Sequence, residues 1–206
     1  FKMDPDFKEK FAERLLFLLS DIATRPRAAV SQDGDQGEQG DTQFFPPARH
    51  KDFFSFHSWA SGLFPQATGK GQESVSEAIN AYYGVYLMGL ALEDQTLSDW
   101  GRVLLAMEIR AAKMYWQMPQ GSKVYDAAFA QNRMVGNVGG LDVVYSTWFG
   151  NNPAFIHGIQ YMPFTPITEE YLEACFMVQE WEVIKSLADD EGTPDMWRGY
   201  LAEARA

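Results

Sequence analysis

Apolar positions recur with a helical period along most of this chain. Phe7, Phe11, Leu15, Leu18, Leu19 and Ile22 form one stripe behind Asp4-Pro5-Asp6. That tripeptide has the make-up of a helix start: an N-cap acid, proline at the first helical position and an acid in the first turn. Arg25-Pro26 closes this helix. Val75, Ile79, Tyr82, Tyr86 and Leu90 form a second stripe, on a helix expected to run to about Leu92. After a turn at Glu93-Asp94-Gln95, a further helix starts at Thr96 or Ser98. It carries Trp100, Val103, Leu104, Met107, Ile109, Ala111, Met114 and Tyr115 and stops at Met118-Pro119. Two long helices separated by so few residues predict an antiparallel hairpin. Thr168 to about Leu187 predicts another helix, with acids at its front and Tyr171, Leu172, Cys175, Phe176, Val178, Val183, Ile184 and Leu187 as apolar positions. Thr193-Pro194 opens a last amphipathic helix containing Met196, Trp197, Tyr200 and Leu201.

The segments between these helices lose the period. Residues 27–43 are polar and Gly-rich, with Asp-Gly-Asp-Gln-Gly-Glu-Gln-Gly at their centre, and predict a flexible polar insertion within a single α-helical domain. The acids there lack the spacing and terminal Glu of a calcium loop. Phe44 to Phe64 is dense in aromatics and predicts a structured loop passing into a short helix. Gly69-Lys70-Gly71 is a turn without the spacing of a P-loop. Gly136 to Gly140 reads as turn, Leu141 to Phe149 as a short strand or extended loop, and Asn151-Asn152-Pro153 as a turn before one helical turn from Ala154 to Ile159. Pro163 to Thr168 is an extended approach. Paired helices with long aromatic loops, and no short repeat, predict an all-α solenoid or toroid.

Composition narrows the partners. The 206 residues suffice for one domain with a real core, and 15 Phe, 9 Tyr and 6 Trp make it rich in flat apolar faces that pack cores and stack on sugar rings. The net charge of −11, with no basic cluster to offset it, disfavours nucleic acid and an anionic membrane surface and leaves an uncharged ligand easier to accommodate. One cysteine, Cys175, excludes an internal disulfide framework and a Cys-rich metal site. No apolar run is long enough to span a bilayer, and none reads as a signal peptide. The first residue is Phe1 rather than Met, so the chain is expected to be a piece of a longer protein.

Candidate chemistry gathers in Gln72-Glu73-Ser74-Val75-Ser76-Glu77-Ala78-Ile79-Asn80-Ala81-Tyr82-Tyr83-Gly84. If the whole stretch is helical, Glu73, Glu77, Asn80 and Gly84 share one face, opposite an apolar one, which suits a carboxylate pair lining a cleft. Ser74-Val75-Ser76-Glu77 is equally a capping box, with Ser74 as N-cap and Glu77 reaching back to its amide. Like charges one turn apart cost only about 0.2–0.5 kcal/mol, so the pair alone does not decide between the two.

A longer ordered pattern bears on that choice. Phe56-His57-Ser58-Trp59-Ala60-Ser61-Gly62-Leu63, Gln72-Glu73-Ser74 through Glu77, and Asn80-Ala81-Tyr82-Tyr83-Gly84-Val85-Tyr86 resemble glycoside hydrolase family 81, the endo-β-1,3-glucanases. The resemblance continues through Glu108-Ile109-Arg110, Tyr115-Trp116, Met118-Pro119, Thr147-Trp148-Phe149-Gly150, Ile156-His157-Gly158-Ile159-Gln160 and Pro163-Phe164-Thr165-Pro166-Ile167. It implies that residues 1–206 are part of an (α/α)6 toroid, acting on β-1,3-glucan by an inverting mechanism that needs no cofactor and no metal. In that scheme an acid protonates the leaving oxygen while a carboxylate on the other face activates water.

The resemblance assigns Glu73 as general base and Glu77 as its partner on the water, with the order of the two left open. It offers Asp52 as a cleft-shaping or sugar-binding residue, His57 and Trp59 as sugar-binding residues with core packing as the alternative, Asn80 and Tyr83 as residues that bind sugar hydroxyls or orient the carboxylates, and Trp148, His157 and Gln160 as lining of the far wall with core or loop-bracing roles equally open. It places the family's general acid in an Asn-Asp-His-His-Phe-His-Tyr-Gly motif that these residues do not contain; the acid is expected upstream, and the fragment alone is expected to be a poor enzyme, since acid assistance is worth roughly 10²–10⁴-fold. Phe56 stands where the family often has Gly. Secretion or attachment to a cell wall is implied in the same way. Two other classes stay open: a noncatalytic glucan-binding or structural protein on this scaffold, and a toroidal polysaccharide lyase using a Tyr or His base, which the acidic charge disfavours.

Overall fold

The computed structural model describes residues 4, 6–24, 46–61, 67 and 69–205. The predicted polar insertion at 27–43 lies outside them, as do Arg25-Pro26 and residues 62–66. The chain divides into two compact units, one from Phe1–Lys51 with Ala81–Ala106 and one from Asp52–Asn80 with Met107–Ala206. Helices dominate both, as the sequence predicts.

In the first unit, α1 spans Asp6–Ser20, with the Asp4 carboxylate accepting the Asp6 amide at 3.0 Å as an N-terminal cap. Its apolar stripe is not core: Phe11 and Leu18 stay 38% and 69% exposed, and Ser20 is the buried position of the helix. Helix α2 spans Val75–Leu92 and α3 spans Gln95–Ala111. Their junction is tighter than the sequence reading allows. Glu93 takes a φ of +61°, the Asp94 amide bonds to the Gly89 carbonyl at 2.9 Å, and the Glu93 amide bonds to Leu90 at 3.2 Å. This is a Schellman ending with Glu in the left-handed position where Gly is more common. Asp94 then caps α3 by accepting the Leu97 amide at 2.9 Å, which starts that helix at Gln95 rather than at Thr96 or Ser98. The predicted antiparallel hairpin is drawn close at Gly89, where a Cβ would meet the Ser98 backbone nitrogen at 2.3 Å.

In the second unit α3 passes into a π-helical turn at Ala112–Trp116. Short helices follow: α4 at Ala127–Ala130, α5 at Pro153–Gly158 and α6 at Thr168–Tyr171, then α7 at Ala174–Ala188 and α8 at Asp195–Glu203. The single helix expected from Thr168 to Leu187 is therefore two, because Leu172 leaves helical geometry with a ψ of +70°. Helix α5 is capped by Asn152, which accepts the Ala154 amide at 2.9 Å, and it takes in Pro153, which the sequence reading leaves in the turn before it.

Three short strands make one antiparallel sheet: β1 at Gly71–Gln72, β2 at Asn137–Gly139 and β3 at Val143–Val144, in the order β1-β2-β3. The alternation around Val143 predicts β3. The turn predicted at Gly136 to Gly140 is instead the central strand, and β1 has no periodicity of its own to announce it. Gly136 is required by close approach, since a Cβ there would lie 2.3 Å from the Ser146 carbonyl oxygen.

The loop at 52–57 closes on itself. The Asp52 amide bonds to the His57 carbonyl at 2.9 Å and the Phe56 amide to the Asp52 carbonyl at 2.8 Å. Phe56 pays for this closure with a φ of +73°, a region that favours glycine. Its ring lies 5.7 Å from the Arg110 guanidinium, which offsets part of the cost.

Candidate active site

Glu73 is not in the helix. It occupies the bend between β1 and α2, so the expectation that Glu73, Glu77, Asn80 and Gly84 form one continuous helical face holds only from Glu77 onward. The reason is the cap. Ser74 is the residue before α2 and its hydroxyl accepts the Glu77 amide at 3.2 Å, so the chain upstream of Ser74 is free to leave helical geometry. The reciprocal arm of the capping box is not made: the Glu77 carboxylate is exposed and has no hydrogen-bond or ion-pair partner among the described residues.

The bend is held from several sides. The Ser74 hydroxyl donates to the Ile159 carbonyl at 3.0 Å, and the Ser76 hydroxyl is 3.0 Å from the same carbonyl and 2.5 Å from that of Met162. The Glu73 carbonyl accepts the Trp116 indole N–H at 3.1 Å and the Gln160 amide at 2.8 Å. One residue upstream, Gln72 donates to Glu108 Oε1 at 2.7 Å and accepts the Ser58 amide at 2.8 Å, while the Ser58 hydroxyl donates to Glu108 Oε2 at 2.9 Å.

This packing leaves the Glu73 residue only 7% exposed. Its Oε2 accepts the backbone N–H of Trp148, and Oε1 has no partner. Burial pushes the Glu73 carboxyl above its ordinary value; the Trp148 amide opposes that shift and the negative charge of Glu77 adds to it. Trp148, whose amide makes this contact, is itself 54% exposed. The result is a carboxylate gripped on one oxygen, with a second carboxylate near enough to be felt. Burial of this kind raises the basicity of a carboxylate.

The profile of the glycosyl hydrolase family 81 C-terminal domain matches residues 1–206. The chain belongs to glycosyl hydrolase family 81. It is similar to the glucan endo-1,3-β-D-glucosidase of Glycine max, 36% identical over 158 residues that make up 73% of this chain and 23% of that protein. It is also similar to the primary septum glucan endo-1,3-β-D-glucosidase of Schizosaccharomyces pombe, 32% identical over 77% of this chain and 15% of that protein. A solved glycoside hydrolase family 81 protein from Clostridium thermocellum, in a point-mutant form, superposes with a TM-score of 0.75 at 26% identity, over 98% of this chain and 26% of that one. That likeness supports the predicted fold class, part of an (α/α)6 toroid. The chain spans about a quarter or less of the length of these relatives, 23%, 15% and 26%.

Set in a family 81 domain, the candidate residues separate into distinct roles. Glu73, Glu77 and Trp148 come together. Asn80 follows Glu77 on α2, but its amide is committed: it donates to the Ser76 and Pro163 carbonyls at 2.9 and 3.3 Å and accepts the Thr165 hydroxyl at 2.7 Å. It braces the 163–165 loop. Asp52 is a loop organiser, accepting the Phe54 and Ser55 amides at 2.7 and 3.1 Å and the Trp59 indole at 3.1 Å. Partial burial opposes ionisation there, yet those hydrogen bonds together hold the Asp52 carboxyl below its usual value. Trp59 is half-buried, with its ring edge on His57 at 4.3 Å.

His57, His157 and Gln160 are buried. His57 is 2% exposed, donates from Nδ1 to the Ser58 carbonyl at 3.0 Å and packs on Trp116 at 5.6 Å. His157 is 0% exposed, between Glu180 Oε1 at 2.5 Å and the Tyr145 hydroxyl at 2.7 Å. Gln160 is 1% exposed. Tyr83 belongs to the first unit, half-buried with its ring 6.3 Å from that of Tyr86.

Glu108 and Glu180, both 0% exposed, carry the two buried polar networks and were not singled out from sequence. A signal existed. Glu108 lies in register with the buried Leu104 and Ala111, and Glu180 in register with Phe176 and Ile184. An acid inside an apolar helical stripe requires buried partners.

Proposed function

We propose that this chain is the base-bearing part of an endo-β-1,3-glucanase that hydrolyses internal glucosidic bonds with inversion. The observation that carries the proposal is the seat of Glu73: a buried carboxylate with a raised pKa, one oxygen held by the amide of the exposed Trp148 and the other without a partner among the described residues. The names of the relatives, which are glucan endo-1,3-β-D-glucosidases, supply the substrate class.

Glu73 deprotonates the attacking water through Oε1. Its raised pKa makes the ionised carboxylate a stronger base than an exposed one. Glu77, exposed and uncommitted, accepts the water's second hydrogen and orients its lone pair. The Trp148 ring stacks on a glucose unit. The general acid comes from the rest of the protein, on the opposite face of the sugar. The other acids near the bend are unsuited to that task. Asp52 is held ionised by its hydrogen bonds, and Glu108 and Glu180 have no exposed surface. The buried Tyr145 hydroxyl is pushed far up by desolvation and by Glu180, which removes it as a lyase-type base. Secretion or wall attachment of the complete protein follows from the same reading, in line with the septum-related name of the fission-yeast relative.

The test is hydrolysis of laminarin by the complete gene product, with the anomeric form of fresh products followed by proton NMR, alongside Glu73→Gln and Glu77→Gln. α-Configured reducing ends from wild type, and loss of turnover in folded Glu73→Gln, are expected. A complete protein that binds laminarin and does not cleave it is a glucan-binding protein on this scaffold, and β-configured products rule out the inverting assignment.

A further inference from the structure

The carbonyl oxygen of Glu73 lies past the end of β1 and before the first turn of α2, where neither element supplies a backbone donor. A buried carbonyl in that position needs a partner from elsewhere. Two buried side chains supply it, Trp116 through its indole N–H at 3.1 Å and Gln160 through its amide at 2.8 Å. Gln160 does more than fill a vacancy. Its Nε2 also reaches the Gly136 carbonyl at 3.3 Å, and its Oε1 accepts the Val75 amide at 3.1 Å. One side chain therefore holds the peptide groups on both sides of Ser74 and ties them to the segment leading into β2. Trp116 arrives through the widened π-helical turn at Ala112–Trp116, a feature that recurs at functional sites.

We propose that Gln160 and Trp116 are positioning residues that clamp the Glu73 peptide and so aim its carboxylate, neither of them touching glucan. The kinetic part of this inference rests on the glucanase reading; the geometric part does not. At 1% and 0% exposed, these side chains are out of reach of a polysaccharide. With the Glu73 carbonyl and the Val75 amide both fixed, the direction of the Glu73 Cα–Cβ bond is fixed too, and the Trp148 N–H completes the placement. A base displaced by about 1 Å loses roughly 10²-fold in rate. The clamp also keeps the carboxylate in its buried seat. The charged group that faces it there is Glu77, on the first turn of α2, and the dipole that faces it is the Trp148 amide.

The experiment uses the complete protein with Gln160→Met, which keeps volume and removes every polar atom, and Trp116→Phe, which removes the N–H and keeps an aromatic ring. Three quantities are measured: kcat and KM on laminarin, the titration of the Glu73 carboxyl by carbon-13 NMR, assigned by its loss in Glu73→Gln, and thermal melts. Each variant is expected to lower kcat about ten-fold or more with KM within about two-fold, and to move the Glu73 titration down toward an ordinary carboxyl as it leaves the buried seat. A raised KM with unchanged kcat makes Gln160 a sugar ligand and overturns the proposal. So does an unchanged kcat and Glu73 titration in folded variants. If Gln160→Met does not fold, Trp116→Phe decides by the same readouts. If wild type does not hydrolyse laminarin, the glucanase reading fails, and the Glu73 titration alone still decides whether the clamp exists.

Discussion

The bend at Glu73 and the first turn of α2 just after it carry the same functional group in opposite settings. Glu77 sits on a regular, well-capped helix with its carboxylate in solvent and nothing bonded to it. Glu73 sits four positions earlier in irregular backbone, 7% exposed, with one carboxylate oxygen and its carbonyl both held by other parts of the second unit. The helix needs little from its surroundings and fixes Glu77 only as far as its own backbone does. The bend has no repeating hydrogen bonds, so every group in it is tied individually, and this is what allows a carboxylate to be held out of water. Position is obtained from the irregular element, and access from the regular one.

The largest expected effect tests which of the two settings carries the chemistry. Glu73→Gln should lower kcat on laminarin by roughly 10²–10⁴-fold, and Glu77→Gln by less. The same pair should diverge in stability with the opposite sign. A carboxyl whose folded pKa is raised binds its proton more tightly in the folded state. Its ionisation therefore costs stability, not at all well below the ordinary carboxyl value and fully above the raised one. Glu73→Gln should melt at or above wild type at pH 7, and its advantage should shrink as pH falls through that window. Melts at several pH values check this; a Glu73→Gln protein less stable than wild type at pH 7 contradicts the desolvation account. Glu77→Gln should stay within about 0.5 kcal/mol of wild type.

Next in size is the support beneath the bend. Glu108→Ala leaves Gln72 Nε2 and Ser58 Oγ without the acceptor they share, at about 1–3 kcal/mol for each buried group. A loss of about 2–4 kcal/mol in a denaturant titration is expected; an effect no larger than that of Glu77→Ala removes the contrast between the two acids.

Trp148 separates backbone from side chain. Trp148→Ala keeps the N–H that holds Glu73 and removes the exposed ring. Stacking of about 0.5–1.5 kcal/mol predicts a KM raised by up to about ten-fold with the pH profile of kcat unchanged. A shifted profile shows that the ring, and not the amide alone, sets the seat of Glu73.

The smallest expected effect concerns a bend that is strained rather than tied. Phe56 at φ +73° carries about 1–2 kcal/mol of left-handed strain. Glycine there relieves it, at an entropic cost of about 0.5–1 kcal/mol and with loss of the contact to Arg110. Phe56→Gly should therefore be neutral to about 1 kcal/mol stabilising in a thermal melt. Destabilisation makes the ring's packing worth more than the strain.

The sequence by itself determined the helices and the identity of the acids. Apolar spacing set α2, α3 and α8 to within a few residues, Asn152-Pro153 marked the start of α5, and the ordered motifs around Glu73 and Glu77 carried the family. These are local properties: side-chain period, cap chemistry and residue type act within one or two turns of chain. Tertiary structure decided what each polar group does. Gln160 and His157 read in sequence equally as cleft lining or as braces, and only their burial with partners 87 and 23 residues away places them in buried networks. The strand β1 exists only through its pairing with β2, since Gly71-Gln72 has no propensity to form it. The difference between Glu73 and Glu77 was also invisible along the chain. Both are glutamates near a helix start, and only the tertiary structure buries one of them against the Trp148 amide and leaves the other exposed.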